Sequence, residues 1–549
     1  MDAQCQAQAP LVEDLKVTIE RSSIVLPFEK TPRSSMFLSN IDQILTFNVE
    51  TVHFFPANPE YHQKIVVELF ESALSRLLVP YDFMAGRLHF NEHSRRFEID
   101  CNSAGAEFIV ASSDLTFLEI GDLVYPNPAF RQFVPQLSNS KDLADLPLCL
   151  LQVTWFKCGG FVMGLSTNHA TFDGISAKTF IQNLASLTAS TTLAVQPYTN
   201  REPLRARSPP LVSFPHPELF EFPSLHSPAN LDNGLIGPPA VAEDHHFKVF
   251  RLTGEDIDSL KQKARQGGAL ESCTSFNVVA AHLWRCKTLA TGRGNEQSTL
   301  LYAVDIRRKL KPPLPHEYAG NAVLAAYAIA ELSELRYGTF SNIVEKVWEG
   351  PRRIDDEYAR SVIDWGEEHR GVPRGDVFVS SWWRLGLSEV DYVWGRPKYT
   401  CPVVHATKDI ILLFPDIQGM SSSKGVNCLV ALPEKEMEGI PHPFPIWTVA
   451  ISCPSVRTEG APEWRVLVES GAIVRERNYE NLPSLFGLMD RASKGPSQPW
   501  PLGLGHSAHC HPYSQRERVM NIYIPTCLLV RLGWQRRKPY LACGPPRSL

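Results

Sequence analysis

The spacing of hydrophobic and polar residues divides most of the chain into short strands and helices in mixed order. Alternating or wholly apolar runs predict strands at residues 16–20, 51–55, 96–101, 148–156, 160–165, 246–252, 300–305, 377–385, 410–414 and 425–432. Apolar residues that recur every three or four positions predict helices at residues 65–78, 175–181, 257–264 and 278–285. This patterning ends near residue 440.

Two stretches lack regular elements. Residues 187–245 carry ten prolines with little periodicity, which predicts a long connection between two domains. Residues 441–549 hold 14 of the 43 prolines and show no sustained period, which predicts an irregular, poorly ordered extension. Because 549 residues exceed one ordinary hydrophobic core, we expect an N-terminal domain at 1–186 and a C-terminal domain at 246–440.

One polar segment, Ser166–Gly174, follows directly on the strand predicted at Gly160–Leu165. His169 lies where that strand ends, Asp173 follows four residues later, and Gly174 allows the chain to turn into a helix. A histidine at the end of a strand is placed for chemistry more often than for packing. The pattern leaves three interpretations open: a structural histidine, half of a metal-binding pair, or a general base that takes a proton from an alcohol or an amine.

Composition narrows the possible partners and the compartment. The net charge of −5 and the pI near 6.4 lack the basic excess of proteins that bind nucleic acid or anionic membranes. The twelve cysteines form no CxxC pair, and no apolar run approaches the roughly 20 residues of a membrane span. The first residues carry early acids and no apolar core of a signal peptide, so we do not expect a secretory signal. We therefore expect a cytoplasmic protein without membrane insertion. The potential zinc ligands His506, His509, Cys510 and His511 have no second cluster, so no metal site is predicted.

Further motifs accompany the histidine in a fixed order. They are Tyr81–Leu88 (YDFMAGRL), His169–Gly174 (HATFDG), Leu283–Arg285 (LWR), Asp305–Arg307 (DIR), Tyr318–Asn321 (YAGN) and Asp391–Gly395 (DYVWG). By this order and spacing, over residues 15–437, the chain resembles the plant BAHD acyltransferases, the HXXXD-type family that uses acyl-CoA. The second and last of these motifs are similar to the family's HXXXDG and DFGWG.

The resemblance implies an α/β fold of two similar chloramphenicol-acetyltransferase-like domains, each a mixed sheet flanked by helices. The Pro-rich stretch 187–245 would be the crossover between them. A channel between the domains would admit acyl-CoA from one face and an alcohol or amine acceptor from the other. The family also implies a monomer that needs no cofactor apart from acyl-CoA as co-substrate.

The resemblance assigns roles to the residues of the histidine loop. His169 would deprotonate the acceptor, whose oxygen or nitrogen then attacks the thioester. Asp173 and Gly174 would be structural, with Asp173 turned away from the substrate and held by an arginine, for which Arg285 is the candidate. Trp382, with Ser380 in the same segment, matches a position that lines the acceptor pocket, and its indole N–H is a candidate donor to the oxyanion.

The other motifs are expected to support the fold or to contact CoA. Asp391, Trp394 and Gly395 would be structural residues that brace the C-terminal domain near the CoA side. Val393 replaces a glycine of the usual motif, so we expect the backbone there to differ if that glycine needs a positive φ. Thr274 and Ser275 lie where the family tends to contact CoA, but the same two residues also suit an ordinary helix N-cap.

The substrates follow least directly from the sequence. The segment Leu38–Gln43 (LSNIDQ) favours members that transfer hydroxycinnamoyl groups, such as feruloyl or coumaroyl, to alcohols that include ω-hydroxy fatty acids. Acetyl or other aliphatic donors stay open, as does O- against N-acylation. Two rival hypotheses are a catalytically inactive family member that binds a partner in lipid or wax synthesis, and a metal-dependent hydrolase that uses His169 and Asp173.

Overall fold

The computed structural model describes residues 12–121, 123, 127–135, 143–189, 192–222, 245–266, 272–291, 296–403, 410–416, 425–438, 464–469 and 472–477. The chain divides into two compact units, Met1–Phe444 and Pro445–Leu549. No helix in these described ranges is long and apolar enough to cross a membrane. None of the seven cysteines they contain forms a disulfide.

The first unit contains the strands β1 Val17–Val25, β2 Ser34–Phe37, β3 Asn48–Phe55, β4 Arg87–Asn91, β5 Arg96–Cys101, β6 Ala106–Ser113, β7 Cys149–Phe156, β8 Phe161–Asn168, β9 Leu219–Glu221, β10 His245–Leu252, β11 Gln297–Asp305, β12 Val323–Glu331, β13 Gly371–Pro373, β14 Val377–Ser381, β15 Tyr399–Pro402, β16 Ile410–Pro415 and β17 Val426–Pro433. Its helices are α1 Asn40–Gln43, α2 Gln63–Leu77, α3 Phe117–Ile120, α4 Gly174–Ala189, α5 Gly254–Arg265, α6 Ser275–Thr291, α7 Leu332–Tyr337, α8 Phe340–Arg353, α9 Asp356–Glu368 and α10 Glu434–Glu438.

The first large sheet has the strand order β1-β6-β7-β8-β3-β15 and is antiparallel except between β6 and β7. Every residue of β7 and β8 is buried, which explains why these two strands read as nearly continuous apolar runs. They are joined by the two-glycine turn that the sequence predicts, in which Gly159 has a φ of 80°. Helices α2 and α4 pack on each other beside this sheet, and β8 delivers His169 at its end.

The second large sheet has the order β10-β17-β16-β14-β11-β12. Its edge strand β12 is the Ala-rich run to which sequence patterning assigns no element, and helices α8 and α9 also lie outside the predicted elements. Along β12 buried and half-buried residues alternate, with small residues at Ala326, Ala328 and Ala330 on the buried face. These small side chains let α8 pack close to the strand.

One strand corrects the predicted assignment of residues 246–440 to a single C-terminal domain. Strand β15 pairs with the edge of β3 and so completes the first sheet, not the second. A buried histidine crosses this pair, because His53 lies 3.1 Å from the Thr51 hydroxyl and 3.2 Å from the Thr400 hydroxyl. The free hydrogen-bonding edge of β3 explains the return, since a buried strand edge must be paired.

The described part of the Pro-rich stretch packs closely along the first unit. Arg207 forms ion pairs with Asp364 and Glu357 on α9. Strand β9 pairs with β13. The crossover is therefore ordered over residues 192–222, and the rest of the predicted linker up to residue 244 lies outside the described residues.

The second unit contains one described element, the antiparallel hairpin of β18 Trp464–Glu469 and β19 Ala472–Arg477. The prediction of an irregular extension at 441–549 did not anticipate this hairpin. The remainder of that prediction, with His506, His509, Cys510 and His511, falls outside the described residues.

Candidate active site

His169 leaves the end of β8 in a loop that backbone hydrogen bonds fix on both sides. Its N–H donates to the carbonyl of Phe47 over 2.7 Å, and its ring meets the Phe47 ring edge-on with centroids 5.3 Å apart. The Asn168 side chain accepts from the N–H of Ala170 at 3.1 Å, so the turn after the histidine closes on the preceding residue. The loop therefore presents the imidazole from the rigid end of a buried strand.

The imidazole is partly exposed, but its two nitrogens differ. Nδ1 is buried and makes no hydrogen bond to any described residue, so Nε2 is the nitrogen left to meet a substrate. Burial lowers the pKa of His169 below its ordinary value, and the backbone of His169 itself, the carboxylate of Asp173, the backbone of Phe172 and the side chain of Asn321 oppose that shift. The net effect favours the neutral ring, the form that accepts a proton.

Asp173 points into a cluster of donors. Its Oδ1 accepts from Arg307 Nη2 at 2.9 Å and from the N–H of Ser176 at 3.0 Å, which caps α4. Its Oδ2 accepts from the N–H of Ala322 at 2.9 Å. With both oxygens occupied and the side chain only 4% exposed, Asp173 fastens the loop to the segment between β11 and β12.

The predicted arginine partner, Arg285, is wrong. Arg285 lies on α6 and donates to the carbonyl of Arg336 at 3.2 Å, while Arg307 forms the ion pair with Asp173 over 2.8 Å. Position 307 follows the end of β11 by two residues, which brings its guanidinium under the loop. The DIR motif at Asp305–Arg307 was the available signal in the sequence.

Gly174 and Ser176 bring the start of α4 into contact with the turn after β14 and with the YAGN motif. A Cβ at Gly174 would lie 2.9 Å from Leu385 Cδ1, so the glycine lets the turn after β14 approach α4. The Ser176 hydroxyl lies 3.0 Å from the carbonyl of Tyr318 and 2.9 Å from that of Gly320. The YAGN motif therefore serves as the surface on which the histidine loop rests.

A second buried pair, which sequence reasoning did not identify, lies under the same loop. Arg201 from the crossover pairs with Asp42 of α1 at 2.8 Å, and both side chains are fully buried. Asn321 donates to Asp42 at 2.8 Å and to the carbonyl of His169 at 2.8 Å. The sequence signal was the capping box between Ser39 and Asp42, which predicts a helix start but says nothing of Arg201.

The DYVWG motif at Asp391–Gly395 is structural, but it does not brace the C-terminal domain as predicted. Trp394 packs among Phe55, Phe70 and Phe161 of the first lobe, which comprises the first large sheet with α2 and α4, and the ring centroids are 4.7–6.1 Å apart. Asp391 forms an exposed ion pair with Arg396 over 2.6 Å. Strand β15 explains this location. Residues 391–395 directly precede β15, which pairs with β3 of the first sheet.

The valine of this motif fits its turn without strain. Val393 is not among the residues with positive φ, whereas Gly395 has a φ of 112° and closes the turn on Tyr392. Val393→Gly should therefore not stabilise the protein. We expect it to lose about 0.5–1 kcal/mol through the greater entropy of the unfolded chain. A urea titration against the wild type measures this, and a clear gain in stability would show that Val393 is strained.

The remaining predicted site residues lie at separate places on the second sheet and α6. Trp382 is half-buried, and its ring packs against the core of the first lobe, while Ser380 lies within β14. Thr274 caps α6, with its hydroxyl donating to Asn277 at 2.7 Å, and Ser275 is the first residue of that helix. The oxyanion and CoA roles of these four residues stay predictions.

A cavity of about 100 Å³ lies beside the histidine loop. Apolar side chains form most of its wall, and two amides supply the polar part. Its lining residues are Thr46, Phe47, Asn48, Leu88, Leu143, Leu146, Pro147, Leu148 and Asn168. Phe47, whose ring contacts that of His169, and Asn168, which precedes it, both line this cavity, so it lies next to the histidine loop.

The donor set around His169 does not suit a metal ion. Both oxygens of Asp173 are already held by the cation Arg307 and by backbone N–H groups. Within the described ranges no three His, Cys, Asp or Glu side chains are grouped closely enough to hold a metal. The geometry therefore favours a hydrogen-bonded loop over a His–Asp metal pair.

Comparison with known proteins extends the likeness over most of the chain. Residues 15–445 match the Transferase family. The acyltransferase GLAUCE of Arabidopsis thaliana is 51% identical over 454 residues, which cover 81% of this chain and 99% of that protein. A hydroxycinnamoyltransferase of Narcissus pseudonarcissus is 33% identical, covering 74% and 94%, and the omega-hydroxypalmitate O-feruloyl transferase of Arabidopsis thaliana is 31% identical, covering 78% and 93%.

Two solved structures share the architecture. Vinorine synthase superposes with a TM-score of 0.60 at 21% identity, covering 77% of this chain and 97% of the other. TRI101 of F. graminearum, complexed with coenzyme A and T-2 mycotoxin, superposes with a TM-score of 0.56 at 15% identity, covering 75% and 98%. These likenesses confirm the predicted fold of two sheet-rich lobes. The chain belongs to the BAHD family of acyl-CoA-dependent acyltransferases.

Proposed function

We propose that His169 is the general base of acyl transfer from acyl-CoA to a hydroxyl or amine of a small molecule. The observation that carries the proposal is the partly exposed ring whose Nδ1 is buried and whose neighbouring carboxylate, Asp173, is turned away and paired with Arg307. Among the described residues Asp173 does not pair with the ring, so a neutral imidazole keeps a nitrogen that can accept a proton. It is suited to taking a proton from an acceptor.

The reaction needs no group on the protein to become acylated. The acceptor's proton passes to Nε2 of His169 as its oxygen or nitrogen attacks the thioester carbonyl. The tetrahedral intermediate then expels the CoA thiolate, which takes up the proton. Trp382 and Ser380 are the proposed donors to the oxyanion or the walls of the acceptor pocket. The helix start at Thr274 and Ser275 is the proposed CoA contact, and since the Thr274 hydroxyl is engaged with Asn277, Ser275 has the freer side chain.

For the acyl group we propose hydroxycinnamoyl, such as feruloyl or coumaroyl. Support comes from relatives named as hydroxycinnamoyl and feruloyl transferases. The apolar part of the wall of the cavity beside the loop adds to it, because such a wall suits an aromatic ring. An ω-hydroxy fatty acid is the proposed acceptor class, and an inactive partner-binding role is the alternative.

The substrate proposal is tested by incubating the full chain with an acyl-CoA panel and a mixed set of plant alcohols and amines. Mass spectrometry should detect esters or amides of hydroxycinnamic acids in preference to acetyl products. Acetyl transfer alone would overturn the donor class. No transfer from any CoA ester, with a stable folded protein, would favour the inactive alternative.

The pH profile should reflect the lowered pKa of His169. Because the neutral ring is the base, kcat/KM should fall on the acid side as the ring is protonated. Burial favours the neutral form, so the midpoint of that fall should lie below the ordinary histidine value of about 6.5. Initial rates at saturating acyl-CoA over a pH series measure it. A midpoint above 7 would contradict the proposed environment.

A further inference from the structure

The loop that carries His169 is held from beneath by a second ion pair, independent of Asp173 and Arg307. Asp42 and Arg201 are both fully buried, and their carboxylate and guanidinium are 2.8 Å apart. Burying two charges costs several kcal/mol of desolvation per ion unless each is paired and hydrogen-bonded. A pair buried this deeply therefore needs further hydrogen bonds to each of its two side chains.

Those contacts are with the loop backbone. Arg201 donates from Nη2 to the carbonyl of Thr171 at 2.8 Å and from Nη1 to the carbonyl of Ala170 at 3.3 Å. Asn321, which donates to Asp42, also donates to the carbonyl of His169 at 2.8 Å. Three consecutive carbonyls, beginning at the histidine, thus point to one buried set of donors.

The carboxylate of Asp42 is also held by the capping box at the start of α1. Its Oδ2 accepts from the N–H and the hydroxyl of Ser39, each at 2.8 Å, which leaves Oδ1 for Arg201 and Asn321. Because each peptide unit is planar, holding its carbonyl in one direction restricts the ψ of that residue and the φ of the next. The direction of the His169 ring therefore depends on the three groups that hold these carbonyls.

We propose that Asp42 and Arg201 are positioning residues for acyl transfer, which hold the His169 loop so that the imidazole faces the acceptor. The inference rests on the proposed role of His169 as the base. Arg201 comes from the crossover, Asp42 from α1 and Asn321 from the segment before β12, so three segments that are distant in sequence meet beneath this loop.

The test compares Arg201→Met and Arg201→Lys with the matched control Arg207→Met. Arg207 lies in the same crossover and pairs with the buried Asp364, but it touches no carbonyl of the loop. We expect Arg201→Met to lower kcat by ~10²-fold with KM for acyl-CoA unchanged, because a displacement of the base by about 1 Å costs that much. Arg207→Met should lower thermal stability while the folded enzyme keeps its kcat.

The lysine variant keeps the proposal testable where the methionine variant fails to fold. Lysine retains the charge for Asp42, but its single nitrogen cannot occupy both positions, Nη1 and Nη2, from which Arg201 reaches the carbonyls of Ala170 and Thr171. Arg201→Lys should therefore fold and show a smaller loss of kcat than Arg201→Met. A lysine variant with wild-type kcat would overturn the proposal, as would a methionine variant whose only defect is lower stability.

A readout without turnover separates this proposal from the proposed function. Exchange of the histidine C2 proton, followed by mass spectrometry, reports the pKa of individual rings in the folded chain. In both Arg201 variants the pKa of His169 should move toward 6.5 as water reaches the loosened loop, while His53 and His282, with pKa values of about 3 and about 4, stay unchanged. An unchanged His169 overturns the positioning role. A shift of His169 in a chain that transfers no acyl group would reject the proposed function and leave the positioning intact.

Discussion

Replacing His169 by alanine should lower acyl transfer by about 10²–10⁴-fold and leave the fold intact. The rate should fall because the variant lacks the proposed base for the acceptor's proton. The fold survives because the loop's hydrogen bonds at this position use the backbone, with the N–H bound to Phe47 and the carbonyl bound by Asn321. Release of free CoA measures the first effect, and thermal unfolding followed by circular dichroism measures the second.

A buried histidine elsewhere provides the matched control. His282 on α6 is only 2% exposed, packs beside Cys286, and has no contact with the loop. His282→Ala should lower the unfolding temperature while the folded enzyme keeps its turnover. A His169→Ala variant that retains most of the wild-type rate would contradict the proposed mechanism.

Breaking the Asp173–Arg307 pair should destabilise the protein by about 3–5 kcal/mol, because it leaves one uncompensated charge in a buried site. In Arg307→Met the carboxylate keeps only the N–H groups of Ser176 and Ala322. The side chains of the pair are 4% and 6% exposed, so little water reaches either partner. Urea unfolding of the single variants and of the Asp173→Asn/Arg307→Met double variant measures the loss.

The double variant should recover part of the stability that Arg307→Met loses, since asparagine in place of Asp173 leaves no unpaired buried charge. Asp305, which also loses its ion pair with Arg307, has a side chain that is 40% exposed. The exposed pair Asp391–Arg396 is the control, because both of its side chains are more than half exposed. Its removal should cause no measurable loss of stability. Equal effects at the two pairs would show that Asp173 does not fasten the loop.

Sequence reasoning located the histidine loop because every signal there is local. A buried run, a two-glycine turn and a motif of six residues suffice to predict a strand that ends at His169. The order of the other motifs then indicated the family, which the match over residues 15–445 confirms. The two lobes follow from that family, as the solved relatives show.

The groups that hold the loop were missed because they are distant in sequence. Asp173 and Arg307 are 134 residues apart, and Asp42 and Asn321 are 279 residues apart. Hydrophobic periodicity reports which face of an element is buried and does not report which charged residue meets it. Arg285 and Arg307 each lie in a motif of the resemblance, and neither motif by itself shows which arginine reaches Asp173.

Packing against other elements also sets the location of the DYVWG motif and the conformation of β12, and neither could be predicted from the sequence pattern. Trp394 lies late in the chain, yet it enters the first core because the edge of β3 accepts β15. Alternating alanines in β12 carry too little hydrophobic contrast to indicate a strand. In both places the structure is set by a partner element that a one-dimensional pattern does not contain.

The central claim, that His169 removes the acceptor's proton, is tested most directly by pH profiles of the wild type and of His169→Gln measured side by side. The wild type should show an acid limb with its midpoint below 6.5, as expected for a buried imidazole. In the variant the residual rate should rise steadily with pH and show no such midpoint, because hydroxide is then the base. The same midpoint in both proteins would contradict the assignment of His169 as the base.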